Sequence, residues 1–181
     1  MNIAIYGGSF DPPHIGHEAI CYKVFDVLDI DKLIVVPTYL NPFKKSYHLM
    51  PKQRLELLSI LFEDDENILV DDFEIKQNKA TPSIETVSYL KSIYKPDNIY
   101  LIMGADNLEK LHLWKDFEKL KQLVTFVVIT RQGYEVKNDI IRFISIDMDI
   151  SVSSTSLREE LRSEFIPKKI LNKVKEIWNK E

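Results

Sequence analysis

The sequence contains a single cysteine, and none of its apolar runs is long enough to span a bilayer. Cys21 therefore cannot form a disulfide within the chain, and its place in a predicted helix favours a small packing residue over a nucleophile. The N-terminus also lacks the basic region and the cleavage site of a signal peptide. These absences predict a cytoplasmic protein with no membrane partner.

Positive charge is also scarce, because 24 Lys and Arg face 28 Asp and Glu, which leaves a net charge of −4. Surfaces that bind nucleic acid neutralise phosphates with clustered cations, so this balance predicts no nucleic-acid partner. No repeat, low-complexity stretch or linker divides the 181 residues, of which 45% are hydrophobic. We expect one domain, residues 1–181, with one substantial core. The oligomeric state stays open, a homo-oligomer included.

Apolar runs alternate with helical patterns along the chain. Strands are predicted at residues 3–6, 33–36, 68–70, 99–103, 124–129 and 143–146. Helices are predicted after residue 17, after Pro51 and over 84–94. The inward residues of the first two helices are predicted to be Ile20, Val24, Val27 and Leu28, then Leu55, Leu58, Leu61 and Phe62. This alternation predicts an α/β fold with a Rossmann-like, doubly wound, mostly parallel sheet that binds ligands at the carboxyl ends of its strands.

The most informative stretch directly follows the first predicted strand and reads Gly7-Gly8-Ser9-Phe10-Asp11-Pro12-Pro13-His14-Ile15-Gly16-His17. Two glycines let the backbone approach an anion closely, and two histidines around a glycine can donate ring N–H groups toward one phosphate. Because a helix begins at once, the histidines lie at its N-terminus, where oriented N–H groups favour negative charge. An ordinary turn with capping histidines is the simpler alternative, but the complete string favours a nucleotide site.

A second pattern, Val152-Ser153-Ser154-Thr155-Ser156-Leu157-Arg158, lies near the other end of the chain. Hydroxyl and N–H groups at a helix start, followed one turn later by a guanidinium, can clamp a polyphosphate. Helix capping is the alternative, since Ser156-Leu157-Arg158-Glu159 fits a capping box and Ser153 or Ser154 could also be caps. Capping and phosphate binding can coexist at one helix end.

The first motif resembles the signature Gly-x-Phe-x-Pro-x-His-x-Gly-His of the nucleotidyltransferase superfamily related to class I aminoacyl-tRNA synthetases. The matching residues are Gly8, Phe10, Pro12, His14, Gly16 and His17. The second motif resembles the Ser/Thr-rich turn with a following arginine in the same superfamily. Two matches in the expected order are far more specific than one.

Within this superfamily the chain is similar to the nicotinate-nucleotide adenylyltransferase family. Gly104-Ala105-Asp106-Asn107-Leu108, with Trp114 beyond it, resembles a Gly-x-Asp-Ser/Asn-Leu segment and tryptophan of that family. Its Arg-x-Gly segment is matched by Arg131-Gln132-Gly133, and its proline-rich loop with a lysine by Pro37, Pro42 and Lys44, with Arg54 opening the next helix. The resemblance implies transfer of the AMP part of ATP to nicotinate mononucleotide, with release of pyrophosphate.

The resemblance also implies how the reaction proceeds. The acceptor phosphate is already ionised near neutral pH, so direct in-line attack on the α-phosphorus requires alignment and charge stabilisation but no covalent intermediate. The expected catalytic residues are His14, His17, Lys44 and Arg158. The expected ATP-binding residues are Gly7, Gly8, Ser9, Phe10, Gly104, Asp106, Arg131, Ser153, Ser154 and Thr155. Mg²⁺ is expected to be carried by the ATP phosphates, with no metal ligand predicted in the protein.

Two of the remaining assignments have structural alternatives. Asp106 either binds a ribose or caps the short helix that follows it. Trp114 either stacks on the pyridine ring of nicotinate mononucleotide or belongs to the core. The resemblance favours stacking, and it leaves the two interpretations of Asp106 even.

The nicotinate carboxylate is expected to bind backbone N–H groups of Ser83 and Ile84. Thr81-Pro82-Ser83 resembles an N-cap followed by proline at the first helical position, so these N–H groups can face an anion. Members of the family usually have tyrosine and threonine where this chain has Pro82 and Ser83. The backbone contacts are therefore expected to carry the recognition.

Other functions stay open at this point. Pantetheine-phosphate adenylyltransferases share the first motif but usually carry threonine where this chain has His14, and cytidylyltransferases fit because no residue identified reads adenine. A tRNA-linked protein is a different class, since His14-Ile15-Gly16-His17 matches the first signature of class I synthetases. The chain lacks their Lys-Met-Ser-Lys-Ser motif. The last alternative is a nucleotide sensor without turnover.

Overall fold

A computed structural model describes residues 1–41, 46–131, 140–149 and 152–178, with Arg131 described by its backbone alone. Its centre is a six-stranded sheet in which every pair of neighbouring strands is parallel. The strands are β1 Asn2–Gly8, β2 Lys32–Pro37, β3 Ile68–Val70, β4 Asn98–Gly104, β5 Thr125–Arg131 and β6 Phe143–Met148. All six predicted strands are confirmed, and the sheet is Rossmann-like, as expected.

The helices within the described ranges are α1 Ile15–Val27, α2 Pro51–Phe62, α3 Phe73–Lys76, α4 Ser83–Tyr94, α5 Phe117–Leu123, α6 Ser154–Glu159 and α7 Lys168–Trp178. Two 3₁₀ helices span Ala105–Leu113 and Ser163–Phe165. The described part of the chain contains no helix both long and apolar enough to cross a membrane.

The strand order β3-β2-β1-β4-β5-β6 determines where a ligand can bind. From β1 the chain moves outward to β2 and β3, whereas from β4 it moves in the opposite direction to β5 and β6. Loops after β1 and β4 therefore leave the sheet on opposite faces, and a crevice opens between the carboxyl ends of these two strands. Both strands end in glycine, Gly8 and Gly104, which lets the chain turn closely at this point.

Both faces of the sheet are buried, which explains the continuous apolar character of the strands. In β1, Ala4 and Tyr6 point toward a cluster completed by α1, α2 and α7, while Ile3 and Ile5 point toward a cluster completed by α4, α5 and the first 3₁₀ helix. Cys21 is fully buried in the first cluster, and burial raises the pKa of its thiol, so the packing role predicted for it is confirmed.

Two residues that were expected to face the core do not lie in it. Val27, the last residue of α1, is 45% exposed. The next residue, Leu28, lies just beyond the helix and is buried in its place. In α2, Leu55 is half-buried at the edge of the stripe, and Arg54 and Leu57 are buried instead. An arginine takes an inward position because backbone carbonyls surround its guanidinium, as described below.

Candidate active site

Two cavities open side by side at the crevice between β1 and β4. The larger, of about 660 Å³, is lined by His14, His17, Asp106 and residues 153–155, and is called the histidine cavity here. The smaller, of about 290 Å³, is lined by Gly7, Gly8, Thr38, Glu74, Ser83 and Trp114, and is called the indole cavity. At the end of β4, two consecutive residues line different cavities: Met103 lines the indole cavity and Gly104 lines the histidine cavity. Two ligands bound in these cavities would therefore lie next to each other.

The two histidines form a reciprocal cap at the start of α1. His14 Nδ1 accepts a hydrogen bond from His17 N at 3.4 Å, and His17 Nδ1 accepts one from His14 N at 3.2 Å. The rings stack with centroids 3.6 Å apart, and both line the histidine cavity. Because both Nδ1 atoms act as acceptors, the proton of each neutral ring is assigned to Nε2. Capping therefore fixes the rings in the form that can donate to an anion, so the capping and the phosphate interpretations are compatible.

The second motif is tied directly to the first. Ser153 is the N-cap of α6 and accepts from Ser156 N at 3.2 Å, so of the capping alternatives the one at Ser153 is confirmed and the capping box at Ser156 is not formed. Ser154 Oγ donates to Pro12 O at 3.2 Å, and the guanidinium of Arg158 donates to Asp11 O at 2.9 Å. These bonds bring together segments more than 140 positions apart in the sequence.

Arg158 reaches this position with a second bond, in which its Nη2 donates to Thr155 Oγ1 at 2.9 Å. Ser153, Ser154 and Thr155 line the histidine cavity, and Arg158 lies behind them against the loop of the first motif. The structure thus places the hydroxyls at the cavity wall and uses the guanidinium to hold that wall to the loop.

A buried arginine holds the same loop from the other side. Arg54 is 1% exposed and donates to four carbonyl oxygens, those of Leu49 at 3.1 Å, Ser9 at 2.6 Å, Thr38 at 2.8 Å and Tyr39 at 2.9 Å. Burial lowers the pKa of its guanidinium, which is basic enough to stay charged near neutral pH. This arginine therefore connects the loop after β1 to the loop after β2.

The Asp11 carboxylate completes this support and was not assigned a role from the sequence. It is 3% exposed, and it accepts from His48 N at 2.8 Å and from Leu49 N at 2.7 Å. A sequence signal for Arg54 is an arginine at an inward position of a predicted helix. A sequence signal for Asp11 is an aspartate inside the glycine- and proline-rich loop of the first motif.

The glycines and Phe10 of the first motif occupy different places from the histidines. Gly7 and Gly8 line the indole cavity, not the histidine cavity. Phe10 is buried with φ 49°, and a Cβ on Gly8 would lie 3.0 Å from its ring. The Phe10 ring packs edge-on against His17, with centroids 4.8 Å apart, so it supports a histidine from beneath. Ser9 contributes the carbonyl bound by Arg54.

The segment after β4 contributes Asp106 to the histidine cavity. Gly104 is the N-cap of the 3₁₀ helix, and the Asp106 side chain makes no capping bond, so the capping interpretation of Asp106 is wrong. Asp106 is exposed and lines the cavity, while Asn107 Nδ2 donates to Gly104 O at 3.2 Å. A Cβ on residue 104 would lie 2.5 Å from Asp106 Oδ1, so glycine is required for the side chain to stay where it is.

Trp114 and the start of α4 form two walls of the indole cavity. Trp114 is half-buried and packs against the second core cluster, and it also lines the cavity. The N-cap of α4 is Pro82, one residue later than predicted, because Thr81 Oγ1 donates to Lys79 O and makes no capping bond. The N–H groups of Ser83 and Ile84 are the first two of the helix and therefore have no intrahelical acceptor. Ser83 lines the cavity, whereas the Ile84 side chain points into the core.

Two further assignments lie outside the described residues. Lys44 falls in the segment 42–45, and the side chain of Arg131 is not described, although its backbone pairs with Met148 at the end of the sheet. In the described ranges no group of three His, Cys, Asp or Glu is arranged to hold a metal ion.

The chain was compared with known proteins. A family model described as cytidylyltransferase-like matches residues 5–160. A probable nicotinate-nucleotide adenylyltransferase of Aliarcobacter butzleri is 52% identical over 94% of this chain and 93% of that protein. Another from Sulfurimonas denitrificans is 44% identical over 99% and 96%. The structure of Plasmodium falciparum nicotinic acid mononucleotide adenylyltransferase complexed with NaAD has the same fold, with a TM-score of 0.73 and 23% identity over 95% of this chain and 89% of that one.

Proposed function

The chain belongs to the nicotinate-nucleotide adenylyltransferases of the cytidylyltransferase-like family, and from this membership we propose that it joins the AMP part of ATP to nicotinate mononucleotide. The products are nicotinate adenine dinucleotide and pyrophosphate, which places the enzyme in NAD biosynthesis. The observation that carries the proposal is the pair of adjoining cavities, one with histidines at a helix start and one with an indole beside a second helix start.

The reaction is a direct in-line attack by a phosphate oxygen of nicotinate mononucleotide on the α-phosphorus of ATP. The acceptor is already an anion, so the protein supplies alignment and positive potential instead of a nucleophile. His14 and His17 donate from Nε2 toward the reacting phosphates, and the N-terminus of α1 adds its oriented N–H groups. The bonds at Nδ1 hold both rings before the substrates arrive, so little reorganisation is needed at the moment of reaction.

ATP occupies the histidine cavity in this assignment. Ser153, Ser154 and Thr155 bind the departing pyrophosphate, Arg158 and Lys44 compensate its charge, and Asp106 accepts hydrogen bonds from a ribose. Gly104 and Arg131 complete the nucleotide site at the ends of β4 and β5. Mg²⁺ enters as part of the substrate, bound to the ATP phosphates.

Nicotinate mononucleotide occupies the indole cavity, with its pyridine ring against Trp114. Its carboxylate accepts from the N–H groups of Ser83 and Ile84, and Gly7 and Gly8 allow its ribose phosphate to approach the backbone of β1. A hydrogen bond to a charged group contributes about 1.5–3 kcal/mol, so each bond lost with a carboxamide should lower affinity by roughly ten- to a hundredfold. The arrangement therefore favours the acid over the amide.

The test is pyrophosphate release by the purified protein with Mg²⁺ and ATP. Nicotinate mononucleotide, nicotinamide mononucleotide and phosphopantetheine are offered separately, and CTP replaces ATP in a parallel series. Release mainly with ATP and nicotinate mononucleotide supports the proposal. Preference for phosphopantetheine or for CTP would contradict the proposed substrates, although the chain would still bind a nucleotide. No release of pyrophosphate with any pair would favour a nucleotide sensor.

His14→Ala tests the catalytic assignment within the same assay, and His112→Ala is the matched control. His112 is an exposed histidine that lines neither of the two cavities. A cytoplasmic location, a role without nucleic acid and the oligomeric state stay predictions, and the last is measured by light scattering of the same preparation.

A further inference from the structure

Three residues that line the indole cavity each have a buried polar atom without a hydrogen-bond partner within the described residues. These atoms are Thr38 Oγ1, Glu74 Oε2 and Trp114 Nε1. Buried polar atoms in proteins are almost always paired, so the wall of this cavity is unusual in containing three unpaired polar groups. Thr38 and Trp114 are neutral at every relevant pH, and Glu74 alone of the three can change its charge.

Glu74 is 5% exposed, and its Oε1 accepts a hydrogen bond from Thr86 Oγ1 at 2.7 Å. No ion pair to its carboxyl is found among residues 1–41, 46–131, 140–149 and 152–178. Three charged groups on the neighbouring elements have other partners. Lys76 pairs with Asp72 at 2.9 Å, Lys115 pairs with Glu85 at 2.9 Å, and Asp71 accepts from Phe73 N at 2.8 Å.

Burial disfavours the ionised form of this carboxyl group, because a buried charge loses its hydration and no neighbouring cation among the described residues compensates for that loss. Burial raises the pKa of Glu74 from 4.5 to about 7, and the hydrogen bond from Thr86 partly opposes that rise. Both protonation states are therefore populated near neutral pH. The start of α4, with the first two N–H groups of that helix, borders the same cavity as this titrating group.

On the basis of the proposed function, we propose that the charge of Glu74 controls the selectivity of the enzyme for nicotinate over nicotinamide mononucleotide. Neutral Glu74 admits the nicotinate carboxylate to the start of α4, whereas ionised Glu74 repels it. Two carboxylates in one desolvated cavity cannot both be charged without a large penalty. A carboxamide has no charge and is not repelled in this way.

The ratio of the two acceptors isolates this effect. Both acceptors have the same cationic pyridinium ring, ribose and phosphate, so any attraction of Glu74 to the ring is common to both. ATP and the acceptor phosphate titrate in the same way with either acceptor. Their effects therefore cancel when kcat/KM for the acid is divided by kcat/KM for the amide. Only the interaction with the carboxylate differs between the two substrates.

The experiment measures this ratio between pH 6 and 8.5 for the intact enzyme and for Glu74→Gln. If only neutral Glu74 admits the acid, the wild-type ratio falls by about thirtyfold across this range, following the loss of the neutral fraction. Glu74→Gln should keep a preference for the acid that does not change with pH. Asp72→Asn is the control and should behave like the wild type, because Asp72 is the N-cap residue of α3, pairs with Lys76 and does not line the indole cavity.

Thr86→Val provides an independent variant, because it removes the one hydrogen bond that stabilises the ionised form of Glu74. The pH at which the ratio falls should move upward in this variant, an effect that a merely structural role of Thr86 would not produce. A wild-type ratio that changes by less than about threefold, or an equal fall in Glu74→Gln, would overturn the inference and leave the proposed function intact. Turnover with neither acceptor would overturn both.

Discussion

Replacing Arg54 by lysine should destabilise the protein and impair the site together, although Arg54 lines neither cavity. Its guanidinium reaches four carbonyl oxygens that belong to three segments, the loop after β1, the loop after β2 and the residue before Met50. A lysine ammonium has three donors at a single point, so at least one of the four carbonyls must lose its partner.

The expected magnitude follows from the number of bonds. One hydrogen bond to a charged group contributes about 1.5–3 kcal/mol, and in a chain of this size each kcal/mol lowers Tm by about 2–4 °C. Arg54→Lys should therefore lower Tm by roughly 3–12 °C. The same change loosens Thr38 in the wall of the indole cavity and Ser9 in the loop that leads to the histidines. Misplacement of binding groups by about 1 Å can cost a hundredfold in rate. We expect kcat/KM to fall at least about tenfold at 25 °C, where the variant is still folded.

Thermal unfolding and pyrophosphate release provide the two readouts. Arg162→Lys is the matched control, since Arg162 is half exposed and its contact with Glu164 is 3.8 Å long. An exposed pair of this kind contributes less than about 1 kcal/mol. If Arg54→Lys shifted Tm no more than Arg162→Lys and left kcat/KM unchanged, the support assigned to Arg54 would be refuted.

Further predictions concern the two cavities. His14→Ala should lower kcat by about a hundred- to a thousandfold, as for loss of one donor to developing charge, and unchanged turnover in the release assay would contradict the site. Trp114→Ala should raise KM for nicotinate mononucleotide by about tenfold and leave KM for ATP unaltered; equal changes in both would argue against stacking. Gly104→Ala should raise KM for ATP, because the new Cβ displaces the Asp106 carboxylate. Between pH 4.5 and 7 Glu74 binds a proton in the folded state that the unfolded chain releases, so its contribution to stability should fall by about 3 kcal/mol over this range. Urea unfolding of the wild type and of Glu74→Gln at both pH values isolates this contribution, because the other titrating groups are common to the two proteins.

The fold could be predicted from the sequence in nearly all its parts. Each strand is a short run of β-branched and aliphatic residues, and strands buried on both faces need no contribution from distant sequence to be recognised. Helix faces were predicted less well, as Val27 and Leu55 show, because one residue corresponds to a rotation of about 100° around a helix. The short helix α3 has too few residues for a periodic pattern and was not predicted.

The part of the candidate site whose residues are close together in the sequence could be predicted. His14 and His17 are three residues apart at a helix start, so their common position follows from local geometry alone. The cavity bordered by Gly7 and Gly8 does not follow in this way, because it depends on Thr38, Ser83 and Trp114, which come from other loops. The same limit applies to Arg158, whose contact with Asp11 joins residues 147 positions apart.

The sequence by itself therefore determined the six strands, the helices α1, α2 and α4, the place of both phosphate-binding motifs and, through them, the reaction class. The tertiary structure decided which residues support that chemistry from beneath and what charge they have. In the sequence Glu74 belongs to no predicted helix, and Arg54 is noted only as the residue that opens one. Their roles arise because folding removes both from water, provides the arginine with four carbonyl acceptors, and gives the glutamate a hydroxyl donor but, among the described residues, no cation.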